Sequence, residues 1–179
     1  REKATLLAQE AIDAFPDLFQ GAYRRGMARK LGLHEFKAHD EALATDFLAL
    51  LAEQRADFTL AFRRLAELAS PEASRDMAGI FDFSEAFGPW LERWRRRISE
   101  ESESPEKCQQ EMFRANPVFI PRNHLVEAAI NAAVAEEDFS VFNQLVDLLE
   151  NPFEFNPDLT AFALPPRPEQ IVTQTFCGT

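Results

Sequence analysis

The apolar positions of this chain repeat at the helical interval almost throughout. Phe19, Ala22, Tyr23 and Met27 recur three or four apart, and Gly32 follows where a C-cap glycine belongs. Leu43, Phe47, Leu50 and Leu51 make one stripe. Phe58, Phe62, Leu65 and Leu68 make a second, with Asp57 placed to cap its helix. Pro71 breaks the pattern. Ser84 is a candidate cap for a helix carrying Trp90 and Trp94, although Pro89 moves the start toward Gly88. Ser104-Pro105 is a further start signal, with proline at the first helical position, and Pro117 requires that helix to end by Asn116.

The run from Asn116 to Phe155 reads as two helices between prolines. The first starts at Arg122 or Asn123 and carries Val126, Ile130 and Val134 four apart. Asp138 is placed to cap the second, whose face is Val141, Phe142, Leu145, Leu148 and Leu149, and Asn151-Pro152 ends it. The link is short, so the two should pack antiparallel. Five of the 11 prolines fall between Pro152 and Pro168, which predicts an extended segment laid over the body. The "IVTQTF" that follows is β-branched but has no partner strand. The expected fold is all-α: an irregular multi-helix bundle over residues 1–151 and an extended proline-rich C-terminal arm over residues 152–179, ending in a Cys motif.

Composition narrows this picture. With 179 residues and 46% hydrophobic content, the chain can bury one real core. Seventeen Phe against one Tyr means many wholly apolar rings to bury. No run of 18 apolar residues occurs, so no membrane span is expected. A net charge of −11 and a pI near 4.8 argue against nucleic acid as a partner, because phosphate binding needs a positive surface. Two cysteines, Cys108 and Cys177, make no disulfide framework, so a reducing compartment is the default. The localisation expected is cytoplasmic, of bacterial type. No secretory signal is visible and residue 1 is Arg, which suggests a removed leader or a piece cut from a longer protein.

Candidate chemistry is sparse. None of the six glycines stands in GxGxxG or GxxxxGK, so neither kind of phosphate cradle is encoded. "DF" recurs at Asp46-Phe47, Asp57-Phe58, Asp82-Phe83 and Asp138-Phe139, but never with the Gly of a kinase metal-binding motif; capping or surface Asp beside core Phe explains the pattern. His34, His39 and His124 lack metal-ligand spacing, so no metal site is expected. "WLERWRRR" (Trp90–Arg97) reads as two core tryptophans and an Arg face paired with acidic segments. In "PRNH" (Pro121–His124), Arg122 and Asn123 are candidate anion contacts at a helix start; the plainer reading is that Asn123 caps and Arg122 pairs with a carboxylate. Cys108 reads as a buried small apolar residue, whereas Cys177, in a terminal tail, cannot be core filling.

These stretches are familiar as a set. "NPVFIPRNHLVEAAI", "DFSVFNQLVDLLENPF", the Pro165-Pro166 pair and the terminal "TFCGT" closely resemble the C-terminal part of selenoprotein O family proteins. "FQGAYRRGMARKLGL" and "ADFTLAFRRLAEL" resemble the same family's preceding helices, so the resemblance covers nearly all of the chain. The family implies a pseudokinase-like enzyme that binds ATP, with Mg or Mn, and transfers AMP to Ser, Thr or Tyr hydroxyls of proteins. Its nucleotide-binding and metal-binding residues lie upstream of the part resembled here, so no catalytic residue, metal or cofactor is assigned to this chain, which alone should be inactive. The family ends in a selenocysteine or cysteine motif that Cys177 matches, which implies a redox role. Gly178-Thr179 departs from the Ser-Ser of many members and leaves that role open.

On this reading the implied partners are the protein substrates of the whole enzyme. The piece alone is expected to self-associate through surface that the catalytic lobe would cover. The alternative is a stand-alone helical interaction module that offers an apolar groove to a partner.

Overall fold

The computed structural model describes residues 2–70, 85–101 and 103–174, and among these the chain is helical with no strand. The α-helices are α1 (Glu2–Leu31), α2 (Asp40–Glu53), α3 (Phe58–Glu67), α4 (Phe87–Ser99), α5 (Pro105–Ala115), α6 (Asn123–Glu136), α7 (Ser140–Glu150) and α8 (Thr160–Ala163). Single 3-10 turns cover Pro157–Leu159 and Pro168–Gln170. The all-α expectation holds. Pro71 and the proposed Ser84 cap lie outside the described residues, as does Cys177.

Local signals set most boundaries. The α1 helix ends at Gly32, whose φ of +75° is cheap only for glycine. The Leu33 N–H then closes on the Ala28 carbonyl at 2.8 Å. A side chain at Gly32 would also collide, because its Cβ would lie 2.6 Å from Cys108 Sγ and 2.8 Å from Met112 Sδ. Asp57 caps α3 by accepting from the Leu60 N–H at 2.9 Å. Ser104 caps α5, with Pro105 at its first position and Asn116 just past its end. The α2 helix ends less conventionally. Arg55 takes the left-handed position at φ +50°, and the Ala56 N–H reaches the Leu51 carbonyl at 2.9 Å.

Three expectations need correction. Asp138 does not cap α7, because the helix begins one residue later than expected, with Phe139 at the cap position. The Asp138 carboxylate instead closes a turn, accepting from Ser140 N–H at 2.8 Å and Ser140 Oγ at 3.0 Å. Asn123 is the first helical residue of α6 and not its cap; Arg122 holds the extended cap position without a capping side-chain bond. The arm is not uniformly extended. Its prolines open helical turns at Pro157 and Pro168, the first locked by Asn156 accepting from the Asp158 N–H at 2.9 Å.

The main core joins the C-terminal third of α1 to α2, α3, α4 and α5. Trp90 and Trp94 are buried there and both satisfy their indole N–H groups, on the Leu43 and Leu31 carbonyls at 2.9 Å each. Phe47 stacks on Trp90 at 4.4 Å and meets Phe62 edge-on at 5.0 Å. Arg93 pairs with Asp46 at 2.8 Å, and the buried Arg97 pairs with the buried Asp40 at 2.8 Å and with Glu101, so the Arg-rich run is an ion-paired face as expected. A second, smaller core holds Val118, Phe119, Leu148 and Ala163 where α7 and the arm meet.

Two surfaces stay uncovered. Residues 3–20 of α1 are exposed throughout. Leu7, Ile12, Phe15, Leu18 and Phe19 fall within about 140° of that helix's circumference at ~100° per residue. The α6–α7 pair presents an apolar groove of about 370 Å³ lined by Ile130, Phe139, Phe142 and Leu149 among others.

Candidate functional site

Buried arginines mark the place where the two cores meet. Arg63 follows Phe62 on α3, and only 9% of it is exposed. The packing of Phe62 and Ala66 on either side of this turn carries the Arg63 side chain inward over the Phe113 ring, 4.2 Å from its centroid. Nη1 of Arg63 donates to the carbonyls of Phe113, Asn116 and Phe153 at 3.1–3.2 Å. One guanidinium nitrogen thereby ties α3 to the end of α5 and to the start of the arm. Burial lowers the pKa of Arg63, and the nearby charge of Glu67 works the other way.

Arg122 does the matching work from the other side. It is 6% exposed. Nη1 and Nη2 donate to the two carboxylate oxygens of Asp57 at 2.7 and 3.3 Å, and Nη2 also donates to the Ala163 carbonyl at 2.6 Å. The fork therefore joins the cap of α3, the start of α6 and α8 in the arm. Burial alone would raise the Asp57 pKa. Hydrogen bonds from Arg122 and from the Leu60 and Thr59 N–H groups, with the Arg122 charge, outweigh it and hold the carboxyl below its ordinary value. Arg122 Nε and His124 Nδ1 are enclosed without a hydrogen-bond partner. Burial first, and Arg122 second, lower the His124 pKa.

A third contact closes the junction. Asn116 is 1% exposed, accepts from Lys30 Nζ at 3.1 Å and donates to the Lys30 carbonyl at 3.1 Å. Lys30 also lies over the Phe58 and Phe62 rings, at 5.5 and 5.1 Å, and burial lowers its pKa.

Of the residues singled out from sequence, Arg122 has the carboxylate partner of the plainer reading, supplied by Asp57 of the same chain. Asn123 stands beside it as the first residue of α6. Cys108 is buried as expected; Sγ donates to the Gly32 carbonyl at 3.4 Å, and burial, followed by the charges of Glu101 and Glu103, pushes the thiol up to about 11. Among the described residues no three His, Cys, Asp or Glu side chains stand together so as to hold a metal ion. No described helix is long and apolar enough to cross a membrane. Sequence reasoning missed Arg63 and Asn116, and it read Arg97 as part of a paired Arg face without foreseeing that this pair, with Asp40, is buried. For Arg63 a signal existed, because it lies three positions before Ala66 and beside the Phe62 stripe, at the edge of a face that must be covered.

The family model described as "Protein adenylyltransferase SelO" matches residues 4–150. This chain belongs to the SelO family. It is 46% identical over 179 residues to the "Protein nucleotidyltransferase YdiU" of Bradyrhizobium diazoefficiens, a match that takes in 100% of this chain and 36% of the relative. The proteins of the same name from Rhodopseudomonas palustris (strain BisB5) and Rhizobium meliloti are 44% and 42% identical over 99% of this chain and 36% of their own length. The chain thus spans little more than a third of the relatives it matches. The SelO match contains Arg63, Arg122 and Asp57, and the alignment with the Bradyrhizobium relative continues through the arm that these residues hold.

Proposed function

We propose that this chain is the helical scaffold of a protein nucleotidyltransferase, and that the whole enzyme moves AMP from ATP to Ser, Thr or Tyr hydroxyls of other proteins. The observation that carries the reading is the 46% identity, over all 179 residues, to a relative named for protein nucleotidyl transfer. In such a transfer the substrate hydroxyl oxygen attacks the α-phosphorus of ATP. The bond from that phosphorus to the bridging oxygen breaks, pyrophosphate leaves, and the hydroxyl gives up its proton. Mg or Mn would neutralise the triphosphate charge. The described residues do not fit the binding of such an ion, so no step is assigned to this chain through it.

The part proposed for this chain is mechanical. Arg63 and Arg122 fix the arm on the bundle from inside, and the arm carries the chain toward Cys177, which we assign as a redox-active thiol of the intact enzyme. The alternative of a stand-alone interaction module has one observation in its favour, the open apolar groove of α6–α7.

A chimera tests the reading. The matching residues of the Bradyrhizobium relative are replaced by this chain, and the chimera, the relative and this chain alone are given α-labelled or γ-labelled ATP with Mg or Mn. The expected outcome is protein labelling by relative and chimera from the α-label only, and none by this chain alone. A folded chimera that is inert beside an active relative would overturn the scaffold role. Labelling from the γ-phosphate would overturn AMP transfer.

A further inference from the structure

The groove between α6 and α7 is wholly apolar in its side chains, from Val126 and Ile130 on α6 to Phe142 and Leu149 on α7. Val126, Ile130, Phe139, Phe142 and Val146 are 37–56% exposed, so the hairpin holds these side chains open to water. A contiguous apolar surface of this kind marks a place where another chain sits.

The charge around it is one-sided. Between Asn123 and Pro166 the chain has eight Asp or Glu and no Lys or Arg, so most of the net −11 is gathered here. Glu127 follows Val126, Asp147 follows Val146 and Glu150 follows Leu149, while Glu136, Glu137 and Asp138 close the hairpin beside Phe139; all are exposed. In the bundle the partly exposed carboxylates Glu41, Asp46, Glu67, Glu103 and Glu111 each have an Arg or Lys partner. Among the described residues, none of the eight between Asn123 and Pro166 has one.

Two constraints define the occupant. No polar side chain lines the groove, so a segment lying in it must pair its own backbone N–H and C=O groups. A helix does this and an extended strand does not. The flanks of that helix must be positive to complement the carboxylates. The faces a second copy of this chain could offer fail the second constraint. The α1 stripe runs beside Glu10, Asp13 and Asp17, with no Lys or Arg from Ala4 to Tyr23. A second α6–α7 hairpin would set one acidic rim against another. We propose that the α6–α7 groove docks an amphipathic helix of a partner protein. Its apolar side chains, three and four apart, would sit on Ile130, Phe142 and Val146, and its Lys or Arg side chains against Glu127, Glu136 and Glu150. The 11 residues of α7 give it a seat of about 16 Å, roughly three helical turns. The inference names a class of partner and does not depend on nucleotidyl transfer.

The test is fluorescence anisotropy of a labelled helical peptide, with Leu three and four apart and Lys on both flanks, titrated with this chain. Saturable binding that weakens with salt is expected. The same residues in scrambled order keep the charge but lose the stripe, and should bind about tenfold more weakly or worse. The original peptide should lose as much on the combined variant Glu127→Lys, Glu136→Lys and Glu150→Lys, whose positions are exposed and unpaired, and on Ile130→Glu. Phe15→Glu, on the α1 stripe, should bind as the wild type does. No saturable binding, equal binding of the scrambled peptide, unchanged binding by the combined variant or loss in Phe15→Glu would each overturn the proposal. The folded chimera with the Bradyrhizobium relative should bind the peptide too. A groove closed there would have the rest of its own chain as occupant, and the partner helix would be refuted.

Discussion

Replacing Asp57 should detach the arm from the bundle, and the structure says by how much. Asp57→Ala removes two things. The first is the α3 cap, the 2.9 Å bond from the Leu60 N–H, worth about 1 kcal/mol. The second is the partner of Arg122, a guanidinium only 6% exposed. Breaking a buried pair by deleting one member costs about 3–5 kcal/mol, because the other charge stays buried. The Asp57 side chain is 20% exposed, so water reaches the vacated side and the lower end applies. The expected loss is therefore about 4 kcal/mol, or roughly 8–16 °C in Tm for a domain of this size. Asp57→Ser keeps a capping oxygen and removes only the charge, so it should lose about 3 kcal/mol.

Acid adds a second reading of the same pair. The folded-state pKa of Asp57 is below its ordinary 3.8, so the unfolded chain binds this proton more tightly than the folded chain does. The stabilisation is complete at neutral pH and is lost as pH falls from about 4 through the folded value. The gap between wild type and Asp57→Ser should close over that range. Urea unfolding followed by far-UV circular dichroism, at neutral pH and in steps down to acid, measures both effects. Variants within about 1 kcal/mol of wild type at neutral pH, or a gap that acid leaves unchanged, would refute the role given to the pair.

Gly32→Ala combines a positive φ with a Cβ 2.6 Å from Cys108 Sγ, and should cost about 3 kcal/mol in urea unfolding; a loss under about 1 kcal/mol would mean the α5 sulfurs move aside. In thiol labelling of the native chain Cys108, with its thiol raised to about 11, should react slowly and be released by denaturant; mapping that finds it labelled before Cys177 would count against both assignments. The exposed stripe of α1 should drive self-association at high concentration, and Phe15→Glu with Leu18→Glu should restore the monomer in light scattering; a wild type that stays monomeric would show the stripe too weak to pair.

The helices were legible because their signals are local. Gly32, Asp57 and Ser104-Pro105 each act within a few residues, and the structure uses each as a stop or start. The Asp138 signal misled by one position because an Asp two residues before an N–H closes a turn as readily as it caps a helix. The arm misled because five prolines were read as forbidding helix, whereas proline is well placed to begin a turn. The first half of α1 went unread although its apolar stripe is regular. Pro16 stands inside the helix, where proline removes a hydrogen bond and argues for a break.

The junction was a different kind of problem. Arg63 meets Phe153 across 90 residues, Arg122 meets Asp57 across 65, and Asn116 meets Lys30 across 86. Periodicity gives the face on which a residue lies; it does not say which distant carbonyl or carboxylate will be there. An arginine at the edge of an apolar stripe reads as a solvated flank, and only the assembled fold shows that Arg63 and Arg122 are buried. The cost of burying two cations is recovered only if their partners, the Asp57 carboxylate and the carbonyls of the arm and α5, arrive together. That requirement couples the arm to the bundle. Arg122 with its pair broken, or Arg63 without the Phe153 carbonyl, leaves a buried guanidinium short of partners, so the arm should undock as a unit and not fray residue by residue. This chain builds that coupling from two arginines placed far apart in sequence, Arg63 on α3 and Arg122 at the start of α6.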